Sequence, residues 1–208
     1  YAGRPTTVQL HLYRQADGES TWEEVTGAMP VWYRNSDDTW SFVYERISRT
    51  NASGAEYRYK VEEEVPKDYQ VYYSKDSDGN QVLLENVGDG SLTLTKEVTG
   101  SGGELFREFH FTITVGTLPD GSKLPDGVYG EVSFRDGKAE ITLKSGESVR
   151  ADHLPGMVSY TVTEEEANLD RYRTTSEADQ GVIQPFVVTE VKFTNSRTSD
   201  DKDRPAKP

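Results

Sequence analysis

The chain has 208 residues, no cysteine and a formal net charge of −13. This acidity disfavours nucleic acid and anionic membranes as partners, because both are themselves negatively charged. A chain without cysteine forms no disulfide bonds, which is compatible with a reducing compartment or a bacterial surface.

Short runs of alternating apolar and polar residues, typical of β-strands, follow one another along the chain. The first set lies at residues 8–13, 40–44, 57–63, 69–73 and 82–87. Gly88-Asp89-Gly90 follows and is predicted to break the chain. The second set lies at residues 92–98, 109–115, 130–134, 138–143, 158–164, 172–176 and 187–195. Strands at this spacing predict an all-β fold of sandwiches rather than alternating strands and helices.

The two halves of the chain resemble each other. "YRYKVEEE" (57–64) is similar to "VSYTVTEEE" (158–166), and each is followed by a strand that ends in asparagine, Asn86 or Asn195. We therefore predict a tandem repeat, with domains at 1–89 and 90–197 and a polar linker at 198–208. No signal peptide or membrane-spanning run is apparent, and we expect the chain to be part of a longer protein.

Three strands of the second half end an apolar stripe with a polar residue. They are Lys96 in "SLTLTKEV", Glu164 in "YTVTE" and Asn195 in "VKFTN". Side chains alternate between the two faces of a strand, so each of the three shares a face with the apolar residues two positions away. The pattern predicts that all three point inward, but it does not place them in contact.

If the three groups met, their chemistry would be specific. A lysine in an apolar site has a lowered pKa, so its neutral, nucleophilic amine becomes accessible, and a buried carboxyl group can donate a hydrogen bond to an amide. The amine can then attack an asparagine side chain, release ammonia and leave an isopeptide bond. Simpler interpretations remain open: Lys96 can snorkel to solvent, Glu164 can belong to a solvated acidic run, and Asn195 can end its strand in a turn.

The sequence also resembles a known family. "SLTLTKEVTG", "FREFHFTITV" and "VVTEVKFTNSR", within residues 90–197, resemble the pilin-type isopeptide-linkage domain of Gram-positive surface proteins. "GRPTTVQLHLY" and "LLENV" in the first half resemble the related CnaB-type domain. The resemblance implies two tandem Ig-like (CnaB-type) β-sandwiches. It also implies Lys96 as nucleophile, Asn195 as electrophile and Glu164 as the catalytic acid that shuttles protons.

The first half departs from the family pattern. Glu63 and Asn86 fit the positions of the family's glutamate and asparagine, but the family's lysine lies upstream of "RP" at residues 4–5. Lys60, Lys67 and Lys75 do not lie on a first strand. We therefore predict that the first sandwich lacks its N-terminal strand and forms no internal isopeptide bond in this chain.

No metal or cofactor is predicted. Residues 76–80, "DSDGN", alternate oxygen ligands as a calcium loop does, but they lack the glycine after the third ligand and the closing glutamate. The three histidines show no metal-ligand spacing. We predict a hairpin turn at residues 76–80.

The resemblance implies a structural stalk or shaft module of an adhesin or pilin, extracellular and cell-wall-anchored in its parent. It implies no enzyme beyond a single self-crosslinking event. Expected partners are neighbouring domains of the same surface protein, with host matrix or glycan met through a distal domain. The alternative is a module that binds a host ligand such as collagen or a glycan. Exposed aromatic residues around Trp22, Trp32 and Trp40 would support that alternative, although we predict that Trp40 is core.

Overall fold

A computed structural model describes residues 8–36, 40–75 and 81–202 of the chain. The chain divides into two compact units: unit 1 comprises residues up to 67 together with 71–86, and unit 2 comprises 68–70 and the residues from 87 onward. In these described residues both units are built from β-strands, and the one helix is a single turn, α1 (Ser199–Lys202). No helix among them is long and apolar enough to span a membrane.

Unit 1 contains three pieces of sheet. Its strands are β1 (Leu10–Ala16), β2 (Glu23–Glu24), β3 (Val31–Arg34), β4 (Trp40–Val43), β5 (Tyr57–Glu63), β6 (Tyr69–Lys75) and the first part of β7 (Gln81–Thr99). β1 lies between β2 and β5 in an antiparallel sheet, β3 pairs with β4, and β6 pairs with β7. Alternation in β1 and β5 places Leu12 opposite Val61, so both apolar side chains lie on one face of the sheet.

Unit 2 is a sandwich of two sheets. Its further strands are β8 (Phe109–Val115), β9 (Gly127–Tyr129), β10 (Val132–Phe134), β11 (Lys138–Leu143), β12 (Ser148–Pro155), β13 (Ser159–Glu164), β14 (Arg173–Glu177), β15 (Gln180–Val182) and β16 (Val188–Ser196). One sheet of the sandwich has the order β11-β8-β13-β15 and the other β12-β7-β16-β14, while β9 and β10 form a separate two-stranded sheet. Leu94, Ile113, Val162 and Val191 are buried, as expected for the inward-facing positions of strands in two packed sheets. The predicted all-β, Ig-like architecture is confirmed.

Residues 91–99 of β7, which we call the lysine half, pair with β16 in parallel, whereas β12 pairs with them in antiparallel fashion. We call residues 81–86 the asparagine half of the same strand. β7 runs without interruption from residue 81 to residue 99, so the predicted break at Gly88-Asp89-Gly90 is wrong.

The glycines within β7 serve close packing rather than a turn. A Cβ atom on Gly88 would overlap the ring of Phe186, and one on Gly90 would lie 2.5 Å from the backbone oxygen of Gln184. Glycine inside a strand commonly marks such a close approach. Composition alone could not separate this case from a chain break.

Five strands were not predicted from the sequence: β2, β3, β9, β12 and β15. The most important is β12, which borders the lysine half of β7. Its register shifts between Ala151 and Leu154, and His153 between them has a positive φ of 56°. A bulge inserts an extra residue and breaks the period of two, so the alternation that reveals a strand is lost here.

A further expectation is wrong: Trp40 was predicted to be core, yet it is 57% exposed.

Arg197, the last residue of the predicted second domain, borders the polar linker in the sequence, yet it is buried. Its Nε donates to the backbone oxygen of Gly102 at 2.7 Å, and its guanidinium lies 4.3 Å from the ring centroid of Tyr172. Its Nη2 also lies 3.0 Å from Oε1 of Glu104. A cation that forms an ion pair and stacks on an aromatic ring can be buried, which the surrounding polar sequence does not reveal.

Candidate functional site

Three strands of unit 2 bring Lys96, Glu164 and Asn195 together. Lys96 lies on the lysine half of β7 opposite Phe193 of β16, and Asn195 lies two residues further along β16. Glu164 ends β13, in the other sheet, opposite Phe111. All three side chains point between the sheets, and the exposed fraction of both Lys96 and Asn195 is 0%.

The carboxylate of Glu164 bridges the other two groups. Lys96 Nζ donates to Glu164 Oε2 at 2.8 Å, and Asn195 Nδ2 donates to Glu164 Oε1 at 2.5 Å. The amine and the amide are thus held on the two oxygens of one carboxylate, away from solvent. Such an arrangement is costly as a plain ion pair, because a buried pair must recover the hydration energy of both charges.

Aromatic rings surround the amine. Lys96 Nζ lies 4.2 Å from the ring centroid of Phe109 and 5.7 Å from that of Phe111. The ring of Phe111 in turn packs edge-on against Phe193. Burial among these groups lowers the pKa of Lys96 from its ordinary value of 10.5, and the hydrogen bond to Glu164 opposes that shift in part. The neutral amine is therefore more accessible than on a surface lysine.

The amide of Asn195 is only partly satisfied. Its Oδ1 is buried and has no hydrogen-bond partner among the described residues. A buried carbonyl oxygen without a donor costs free energy of about 1–3 kcal/mol. Rotation of the amide about Cβ–Cγ would exchange its oxygen and nitrogen and bring Oδ1 to Glu164, where a protonated carboxyl group could donate to it.

Unit 1 contains the same acid and amide. Asn86 Nδ2 lies 2.8 and 3.0 Å from the two carboxylate oxygens of Glu63, and Asn86 Oδ1 is buried without a partner in the described part of the chain. Burial raises the pKa of Glu63, and the hydrogen bond from Asn86 opposes that shift. No described lysine or arginine forms an ion pair with Glu63; the nearby Lys60 pairs with Glu62 at 2.5 Å instead. Unit 1 thus holds two of the three groups found in unit 2.

One cluster with metal-ligating potential was missed in the sequence. Among the described residues, His110, Glu165 and Glu166 place their ligand atoms within 4.8 Å of one another, because β8 pairs with β13. His110 Nδ1 and Glu166 Oε1 are 2.6 Å apart, and the hydrogen bond to Glu166 raises the pKa of His110. The cluster is largely exposed, and His110 and Glu166 within it form an ion pair. Residues 76–80, the rejected calcium loop, lie outside the described residues.

The strand order and the packed sheets define the class of protein: an all-β chain of tandem Ig-like sandwiches. The chain belongs to the family described as "Domain of unknown function (DUF7601)", whose model matches residues 90–197. Residues 1–86 match the Cna protein B-type domain.

Pilus proteins of Streptococcus pyogenes are among the relatives. A pilin of serotype M1 is 28% identical over 158 residues, which are 68% of this chain and 45% of the pilin. The pilus tip adhesin Cpa is 42% identical over 77 residues, 35% of this chain and 11% of the adhesin. The chain thus spans less than half the length of either. A crystal structure of the S. pyogenes major pilin is 21% identical, with a TM-score of 0.45 and 92% of each chain covered.

Proposed function

We propose that this chain is a structural shaft or stalk module of a bacterial pilin or adhesin, stabilised by an isopeptide bond between Lys96 and Asn195. Residues 90–197 would form the crosslinked domain, residues 1–89 a second CnaB-type domain, and residues 198–208 a connector. The buried contact of Lys96 and Asn195 with one carboxylate is the observation that supports this role. The pilin and adhesin relatives support it independently.

The proposed reaction joins two side chains and releases one molecule. The neutral Nζ of Lys96 attacks Cγ of Asn195 while Glu164, protonated, donates to Oδ1. A C–N bond forms, the bond from Cγ to Nδ2 breaks, and a proton from the lysine nitrogen passes through Glu164 to the departing amide nitrogen. The products are an amide and ammonia, and Glu164 is regenerated as the acid.

The fold supplies the main requirements of this reaction. Held on the same carboxylate, the two groups would react as if at very high concentration, an effect that removes about 7–11 kcal/mol of the barrier in well-oriented intramolecular reactions. Burial lowers the pKa of Lys96, which makes its neutral amine more accessible, and the sandwich excludes water that would compete as a nucleophile. Each chain reacts once, so the process is self-modification without turnover.

Intact mass tests the bond directly. The wild-type chain should be lighter than its sequence by one ammonia, whereas Lys96→Ala and Glu164→Ala should have the full mass. Lys138→Ala is a matched control because Lys138 is exposed on β11, and it should keep the deficit. A wild-type chain of full mass would refute the bond.

In its parent protein the module would lie outside the cell and be linked to the wall, with neighbouring domains and other pilus subunits as its partners. A crosslink between its first and last strands would let the domain resist pulling forces along the shaft. Because an amide is not reduced by thiols, the bond also suits a surface protein that has no cysteine.

Binding of a host ligand is the competing role. The aromatic residues on which it would depend are exposed, but they do not form one site: Trp22 lies against Lys60, whereas Trp32 and Trp40 contact each other on β3 and β4. A screen against collagens and a glycan array separates the two roles. Saturable binding that Trp40→Ala abolishes would favour the binding role.

A further inference from the structure

Arg197 follows β16 directly and lies two residues beyond Asn195. Its side chain is only 6% exposed. A guanidinium keeps its charge in a protein and is a donor only, so burial leaves its N–H groups in need of oxygens and its planar face in need of a ring. The groups that meet this need show which segments of unit 2 the side chain holds together.

The loop that follows the lysine half of β7 supplies the first set of contacts. Arg197 Nε donates to the backbone oxygen of Gly102 at 2.7 Å, and its Nη2 lies 3.0 Å from Oε1 of Glu104. The backbone contributes as well: the N–H of Arg197 donates to the oxygen of Thr99 at 3.1 Å, and the N–H of Gly102 donates to the oxygen of Arg197 at 3.0 Å. Arg197 is therefore fixed against the segment in which β7 ends, three residues after Lys96.

The loop that follows β13, the strand ending in Glu164, supplies the second set of contacts. Arg197 Nη1 donates to the backbone oxygen of Asp170 at 3.1 Å, and the guanidinium lies 4.3 Å from the ring centroid of Tyr172. Hydrogen bonds from a planar guanidinium fix direction as well as distance. One side chain at the end of β16 thus binds both the loop after β7 and the loop after β13.

Aromatic rings extend this contact toward the reacting amine. Tyr172 packs edge-on against Phe109 at 5.8 Å between centroids, and its hydroxyl oxygen accepts from the backbone N–H of Glu104 at 2.9 Å. Phe109 is buried, and its ring centroid lies 4.2 Å from Lys96 Nζ. A continuous stack of side chains therefore runs from Arg197 through two rings to Lys96.

We propose that Arg197 is a positioning residue for the crosslinking reaction: by binding the loops after β7 and β13, it fixes Asn195 relative to the amine and the carboxyl group. This inference rests on the bond proposed between Lys96 and Asn195 and adds a requirement to it. Arg197 acts through the ends of the three reacting strands. Such placement matters because an error of about 1 Å in the position of reacting groups can cost about 100-fold in rate.

The rate of ammonia loss tests the proposal. The chain is made by cell-free synthesis, quenched in acid at intervals, and the fraction of full-mass chain is followed by intact mass spectrometry. Arg197→Met removes the charge and the hydrogen bonds of the guanidinium, and we expect it to lose ammonia about 10–100-fold more slowly than the wild-type chain. A rate equal to that of the wild type would overturn the proposal.

Two controls separate positioning from loss of stability. Val132→Ala removes buried side-chain atoms from β10, in the separate sheet of β9 and β10, and should destabilise unit 2 without slowing ammonia loss from folded chains. Arg150→Met makes the same substitution at a 44% exposed arginine, which pairs with Asp152 at 2.7 Å, and should keep the wild-type rate. If Val132→Ala slowed the reaction as much as Arg197→Met does, stability would explain the effect and the proposal would be wrong.

A second measurement covers the case in which Arg197→Met does not fold. Each substitution is combined with Glu164→Gln, which removes the crosslink, and calorimetry shows whether unit 2 is folded at the temperature of the rate measurement. If Arg197→Met is unfolded there, Arg197→Lys replaces it, because it keeps the charge but lacks the planar fork, and an unchanged rate in that variant would overturn the proposal. A wild-type chain that keeps its full mass would instead refute the bond itself.

Discussion

Units 1 and 2 contain the same buried acid–amide pair but differ in what covers it. Glu63 ends β5 opposite Leu10, whereas Glu164 ends β13 opposite Phe111, one of the two rings over Lys96. In unit 2 the lysine completes the pair, and in unit 1 no described residue does. The difference teaches that a glutamate and an asparagine meet in both units, whereas a lysine on that carboxylate is described in unit 2 alone.

The largest expected effect is the loss of the crosslink in unit 2. Glu164→Gln keeps the size of the side chain but cannot supply the proton, so Lys96 and Asn195 should remain unjoined. A bond closing a loop of about 100 residues contributes about 4.7 kcal/mol in the chain-entropy treatment of disulfides, applied here by analogy. The transition of unit 2 in differential scanning calorimetry should then fall by roughly 20 °C or more.

The matching change in unit 1 is its control. Glu63→Gln should leave the transition of unit 2 where it is, because we predict that no crosslink forms at Glu63 in this chain. All three tryptophans lie in unit 1, so their fluorescence reports its unfolding separately. If Glu63→Gln lowered the transition temperature of unit 2 as much as Glu164→Gln does, the proposed difference between the two units would be wrong.

The sequence predicted the inward phase of Lys96, Glu164 and Asn195, because alternation along a strand is a local property. It could not place them in contact, since that depends on β7 pairing in parallel with β16 some 100 residues away and on β13 lying in the facing sheet. The same limit explains the errors. The bulge at His153 hid β12, and Gly88 indicated a turn although its role is to admit the ring of Phe186.

Gly88→Ala tests whether Gly88 is needed to admit the ring of Phe186, and we expect it to have the second largest effect on stability. The added methyl group would overlap the far end of the Phe186 ring, but that ring is 52% exposed and can swing aside, so we expect a cost of about 1 kcal/mol, the lower end for overpacking. We expect a corresponding loss in the free energy of unfolding of unit 2 by calorimetry. Gly127→Ala is a suitable control, because its nearest neighbour, a ring carbon of Tyr129, lies 3.7 Å from the new Cβ. Equal effects of both substitutions would argue against close packing at Gly88.

A smaller expected effect is a dependence of the stability of unit 1 on pH, caused by Glu63. Burial raises the pKa of Glu63 above 4.5, so between pH 4.5 and that raised pKa the folded state binds more protons than the unfolded state. Stability then falls as pH rises through this window, by less than about 1.4 kcal/mol per pH unit for one proton. Denaturation followed by tryptophan fluorescence should show this slope, and Glu63→Gln should remove it. A slope unchanged by the substitution would assign it to other groups.

The smallest expected effect on stability is that of replacing Lys192, which lies on the same pair of parallel strands as Lys96. Lys96 points inward from β7, whereas Lys192 of β16 is about 42% exposed and pairs with Glu97 at 2.5 Å. An exposed ion pair contributes little and is weakened by salt, so Lys192→Ala should leave the unfolding transition of unit 2 nearly unchanged. The mass deficit of one ammonia should be unchanged. The proposed reaction needs a lysine side chain that lies between the two sheets, and Lys192 is exposed instead. Disappearance of the deficit in Lys192→Ala would move the crosslink to the outer face of the sheet, where neither a lowered pKa nor exclusion of water supports it.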